Sequence, residues 1–183
     1  VYSYAAVPEG TPVHEYPENL HWRASDRVLG TARNHLKAID WDILNSRLGP
    51  EKKVNLIIVG FPSGDTTLGH YQEAKWIGGK KNDLVICYGE GQGHAAWAHV
   101  FGWTEREDVK RNLETILIRN PTDQNLLPLI EKEVRANYEL KDWSKFDYMA
   151  VEPPWWSYMV ILLAMACVQA AIYRWASTNQ NDK

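Results

Sequence analysis

Asn82–Trp103, NDLVICYGEGQGHAAWAHVFGW, decides the architecture of this chain. Asn82–Tyr88 is an apolar run of strand length, and Gly89, Gly91 and Gly93 supply a tight connection. Ala95–Trp103 then alternates: Trp97, His99, Phe101 and Trp103 share one strand face, while Ala96, Ala98 and Val100 share the other. Two strands joined by a short glycine-rich link predict a hairpin.

Working outward, Val54–Gly60, VNLIIVG, is a near-continuous apolar run, the pattern of a strand buried on both faces. A turn-rich loop, Phe61–Thr67, follows, and then a helix through His70, Glu73, Ala74 and Trp76 that Gly78-Gly79 ends. Further upstream, Val28, Leu29, Ala32, Leu36, Ile39 and Ile43 recur at steps of three and four. With Ser25 or Asp26 as cap and Gly49-Pro50 as stop, they predict an amphipathic helix. Downstream, Thr104 and Glu107 have capping-box spacing ahead of a stripe of Val109, Leu113, Ile116 and Leu117, and Asn120-Pro121 ends that helix. Another helix passes through Ile130, Val134 and Tyr138. The expected organisation is an extended Pro- and Tyr-rich arm over residues 1–22 and a small α/β domain over residues 23–141. An aromatic linker resting at a membrane interface (142–154), a membrane helix (155–175) and a short tail (176–183) complete it.

The membrane assignment comes from Trp155–Tyr173, which carries no charged residue over 19 positions and would span about 28 Å as a helix, close to the hydrocarbon thickness of a bilayer. Trp155, Trp156 and Tyr158 at one end and Tyr173 and Trp175 at the other have the placement of interfacial aromatic belts, and Arg174 can snorkel outward. Gln169 is positioned to hydrogen-bond a neighbouring helix. Lys141 and Lys145 before the span balance Arg174 and Lys183 after it, so flanking charge does not orient the chain. The first residue is Val, which suggests an N-terminal piece that was removed or lies outside this sequence; a cleaved signal or a preceding membrane helix would both fit, and an extracytoplasmic domain is favoured.

Composition excludes several classes. The 183 residues carry a formal charge of −3 with no run of five like charges, unlike nucleic-acid binders, whose affinity comes from clustered Lys and Arg. The two cysteines, Cys87 and Cys167, sit in separate apolar runs, so neither a disulfide nor a cysteine zinc site is expected. Gly89-Glu90-Gly91-Gln92-Gly93 lacks the third glycine and following helix of a dinucleotide fingerprint. Gly78-Gly79-Lys80-Lys81 lacks the leading glycine and trailing Ser/Thr of a phosphate loop, so no nucleotide is expected. His94 and His99 lie five apart in a strand region, so they point to opposite faces and cannot share a metal without a bulge, and Ser63 has no sequence-local partner for nucleophilic catalysis. Asp65, Glu73, Asp83 and Glu90 fall nearest the strand ends. No cofactor is expected beyond Ca²⁺ or Mg²⁺, for which Asp65 and Asp83 are the candidate oxygen ligands. Nine Trp exceed ordinary usage and suit protein or membrane-interface contact.

Glu73–Val85, EAKWIGGKKNDLV, resembles the centre of TPM domains, the family shared by thylakoid phosphatase-like and photosystem II repair proteins. The resemblance extends over about residues 25–120 and implies a small α/β/α sandwich, often extracytoplasmic beside a membrane anchor. It also implies roles in assembly or repair of membrane complexes, with acid phosphatase activity or divalent-cation binding in some members. Asp83 matches the family's acidic position before a strand, and Asp65 stands in its loop after the first strand. Gly91-Gln92-Gly93-His94 departs from the acidic stretch many members carry there. The expectation is a single-pass accessory, structural or assembly subunit contacting membrane protein subunits and lipid. The alternative is a membrane-tethered, cation-dependent phosphatase-like hydrolase.

Overall fold

The computed structural model describes residues 4, 6–20, 23–24, 26–145 and 154–181. They fall into two units, Val1–Asp142 and Trp143–Lys183. The first has mixed α/β structure. Its strands are β1 (Asn19–Leu20), β2 (Arg23–Ala24), β3 (Val28–Gly30), β4 (Asn55–Phe61), β5 (Asp83–Glu90) and β6 (Ala95–Gly102), and its helices are α1 (Ala38–Lys52), α2 (Thr67–Lys75), α3 (Asp108–Arg119) and α4 (Leu126–Asn137). The main sheet has the order β3-β4-β5-β6, while β1 and β2 form a separate antiparallel pair. β3, β4 and β5 are parallel. β6 returns antiparallel to β5, forming the expected hairpin with an irregularity at Gly89 and Glu90.

The apolar runs of β4 and β5 are buried almost throughout because both sheet faces are covered. Leu56, Ile58, Leu84, Ile86 and Val100 pack with Trp41, Leu44 and Leu48 of α1, Val109, Leu113 and Leu117 of α3, and Ile130 and Val134 of α4. Burying each of these large side chains contributes about 1.5–3 kcal/mol, which makes this the principal core. The opposite face is smaller: Ile57, Val59, Phe61, Val85, Cys87, Trp97 and Phe101 meet Leu68 of α2, Trp76 at its C-terminal end, and Tyr16 of the arm. Both crossovers, β3 to β4 and β4 to β5, step the same way across the sheet, yet α1 and α2 cover opposite faces. The two connections therefore have opposite hands, and one departs from the usual right-handed rule.

Four expectations are corrected. Val28 and Leu29 lie in β3, and Ala32 in a 3-10 turn over Thr31–Asn34, where one continuous helix was expected. Gly30 explains the break: its φ is +60°, and a Cβ there would lie 2.1 Å from the Gly60 carbonyl oxygen. Next, α1 faces the core through Trp41, Leu44 and Leu48, leaving Ile39 and Ile43 exposed. It also runs past Gly49-Pro50 to end where left-handed Lys53 donates its N–H to the Gly49 carbonyl. Pro50 forfeits the N–H that would reach the Ser46 carbonyl, and the helix ends at Lys52. Third, Thr104 caps no helix: it accepts the Arg106 N–H and donates to the Glu139 carbonyl, and α3 begins four residues on, at Asp108.

The fourth concerns the second unit. Its helix α5, Trp155–Asn181, continues well into the stretch expected as tail. The Pro154 carbonyl accepts both the N–H and the hydroxyl of Ser157, anchoring the first turn. Within α5, Trp155–Arg174 is long and apolar enough to cross a membrane, and the apolar window in it has no buried residues. Trp155, Trp156, Tyr158 and Tyr173 are exposed, as are Gln169 and Arg174. The Trp175 side chain, and linker residues 146–153 with Phe146 and Tyr148, lie outside the described residues.

Candidate functional site

Asp65 and Asp83 are not brought together. Parallel pairing aligns Asn55 with Asp83 and Phe61 with Gly89, so Asp83 opens β5 at one end of the sheet while Asp65 follows β4 at the other. Six strand residues separate the two ends, about 20 Å at roughly 3.3 Å per residue, beyond the reach of one cation. Each carboxylate has a local task. Asp65 accepts the N–H and hydroxyl of Thr67 at 2.9 and 2.7 Å, securing the first turn of α2, and these bonds hold its carboxyl below the ordinary value.

Asp83 is buried and accepts three hydrogen bonds, each 2.8 Å long, from the Tyr16 hydroxyl, the Asn55 amide and the Lys80 backbone N–H. Asn55 in turn accepts from the Arg27 guanidinium, which pairs with Asp42. Burial and the adjoining Asp83 carboxylate push the Tyr16 phenol far above its ordinary range, so it remains a donor. Lys80 sits over the Tyr16 ring, 4.0 Å from its centroid. This network clamps the arm to the chain's own sheet.

A second clamp lies one helix away. Gln72 is fully buried, yet both its polar atoms are satisfied by the arm: Oε1 accepts the His14 N–H and Nε2 donates to the His14 carbonyl, which also accepts from Trp76 Nε1. Buried amides need such partners, and an arm backbone presenting N–H and C=O side by side supplies both. Gln72 escapes a reading by residue type alone. Its signal is positional, since it stands midway between Leu68 and Trp76 on the buried stripe of α2.

The chemically distinctive group is His70, Glu73 and His99, whose ligand atoms lie within 4.8 Å of one another. His70 and Glu73 stand one turn apart on α2 and so share a face. His99 comes from β6. The His99 imidazole is 2.8 Å from a Glu73 oxygen, and the two imidazole centroids are 4.3 Å apart. Gly69 makes the approach possible, because a Cβ there would lie 2.6 Å from His99 Cβ and 3.1 Å from the Trp97 ring. Cys87 is the register partner of His99 on the same sheet face. Burial, and secondarily the Glu73 carboxylate, push its thiol well up, so it is protonated at neutral pH.

The remaining residues singled out from sequence serve local structure. Glu90 pairs with His35, His94 sits in the hairpin turn with its ring against the Gln92 carbonyl, and Ser63 accepts the Trp97 indole N–H on its carbonyl. Cys87 and Cys167 are both free thiols. No protein-family model matches the chain, and no curated protein or solved structure matches it either.

Proposed function

We propose that this chain is a single-pass membrane-anchored accessory, structural or assembly subunit of a larger membrane complex, with its TPM-like α/β domain arranged as an α/β/α sandwich on the extracytoplasmic side. The observation that carries the reading is α5. Its 20-residue apolar span has no buried residues in this chain, so its sides need lipid or other membrane helices. Gln169, on that exposed surface, suits a hydrogen bond to a neighbouring helix. The sandwich description is supported by the apolar clusters on the two sheet faces.

The arm lies on the chain's own surface. Its residues 14–16 engage Gln72, Trp76, Asp83 and Lys75 of the same chain, so partner recognition in this proposal falls mainly to α5. The hydrolase alternative loses the Asp65–Asp83 pair on which it was framed. The test is extraction from native membranes in mild detergent, followed by crosslinking and identification of co-purifying chains. Other membrane subunits should crosslink through α5, and Gln169→Leu should weaken their retention. A monodisperse monomer with no crosslinked partner would overturn the proposal.

A further inference from the structure

We propose that His70, Glu73 and His99 form a binding site for a single zinc-class divalent transition metal, with the remaining coordination position open to water. The proposal concerns the α/β unit alone and does not rest on the membrane-subunit reading.

Three observations converge. The donor set is two imidazole nitrogens and one carboxylate, a combination that suits zinc and its neighbours, whereas Ca²⁺ and Mg²⁺ favour all-oxygen shells. The donors also come from two different elements that are already packed. His70 and Glu73 ride on α2, His99 on β6, and Gly69 removes the one Cβ that would hold these elements apart. Finally, the spacing is close to what a metal needs. Bonds of roughly 2.0–2.2 Å in a tetrahedral arrangement place donors about 3.3–3.5 Å apart. His99 and Glu73 stand at 2.8 Å, and every pair of donors lies within 4.8 Å. Small rotamer changes bring all three to bonding distance, with the metal replacing the proton now shared between His99 and Glu73. His70 is exposed and the other two are only partly buried, so an ion can enter and water can fill the open position. This is a different place and a different chemistry from the Ca²⁺ or Mg²⁺ site expected at Asp65 and Asp83.

The experiment uses the full chain in detergent without a polyhistidine tag, titrated with Zn²⁺ against a chromophoric chelator and separately with Co²⁺. One equivalent of Zn²⁺ should bind, and Co²⁺ should give the absorption of a tetrahedral or five-coordinate centre. His70→Ala, Glu73→Gln and His99→Ala should each weaken binding at least about 100-fold, more than loss of a supporting group outside the ligand set costs. His35→Ala, at the Glu90 pair, should bind as the parent does. Because His70 is exposed, its replacement leaves the fold in place, which circular dichroism verifies. Substoichiometric binding, undiminished affinity in His70→Ala, or equal affinity for Mg²⁺ would each overturn the assignment and leave a simple His–carboxylate hydrogen bond.

Discussion

Replacing Asp83 with Ala tests whether this carboxylate is a structural clamp. The substitution strips acceptors from three donors, the Tyr16 hydroxyl, the Asn55 amide and the Lys80 N–H, each now bonded at 2.8 Å. Hydrogen bonds to a charged group contribute about 1.5–3 kcal/mol each, so the low end of the range sums to about 4.5 kcal/mol. An open groove lined by Tyr16, Asn55, Lys80 and Asp83 lets water return to part of this network, which lowers the expected loss to about 3 kcal/mol. With a urea slope of roughly 1.5 kcal/mol/M, the unfolding midpoint should fall by about 2 M. The assay is urea unfolding of the full chain in detergent, followed by near-ultraviolet circular dichroism of the packed aromatic residues. Tyr16→Phe alone should cost about 1.5 kcal/mol, and almost nothing further once Asp83 is gone, since the two share one bond. A midpoint shift under 0.5 M, or equal Tyr16→Phe costs in both backgrounds, would refute the clamp.

Three further outcomes follow from the same geometry. Gly69→Ala places a Cβ 2.6 Å from His99 Cβ, so the α2–β6 contact should loosen at a cost of about 1–3 kcal/mol, readable as a lower melting temperature. Gln72→Ala leaves the His14 N–H unpartnered and its carbonyl with Trp76 alone, so amide exchange of residues 13–16 should accelerate while that of β4 and β5 stays slow. At high pH, burial and, secondarily, Asp83 push the Tyr138 phenol up to about 12 from an ordinary value near 10. A raised folded-state value means the stabilisation is whole below pH 10 and lost as pH rises through 12, so melting temperature should fall across that window and fall less in Tyr138→Phe.

The hairpin and β4 were legible because alternation and unbroken apolar runs are local patterns, and residues 97–101 sort between the two faces as the alternation requires; beside the irregularity at Gly89 and Glu90 the pattern breaks, with Ala95 buried on the face expected of Ala96, which is exposed. β3 was not legible. Val28, Leu29, Ala32 and Leu36 keep helical spacing, and only the Gly30–Gly60 contact, between residues thirty apart, shows why the chain bends there. The stripe of α1 was misplaced for a related reason. Ile39 and Ile43 are as apolar as Leu44 and Leu48, and the choice of buried face was made by Trp41, whose indole N–H reaches the Leu56 carbonyl. The site divides in the same way. His70, Glu73 and His99 were each noticed singly, but nothing local joins a helix pair to a strand residue twenty-six positions beyond Glu73. The nearest sequence signal was Gly69, a glycine inside a helix with no turn to make, marking close approach to another element.

By itself the sequence determined what depends on neighbouring residues along the chain: strand and hairpin patterns, the charge-free helix over Trp155–Tyr173, and the separation of Cys87 from Cys167. Tertiary structure alone decided which distant side chains meet. Parallel pairing of β4 with β5 sent Asp65 and Asp83 to opposite ends of the sheet, while the packing of α2 on β6 brought His70 and Glu73 to His99. The same packing presented Gln72 and Trp76 to the arm. The physical reason is that periodicity follows from the covalent repeat of helix and strand. Proximity depends on strand order, strand direction and the few glycines that let backbones touch.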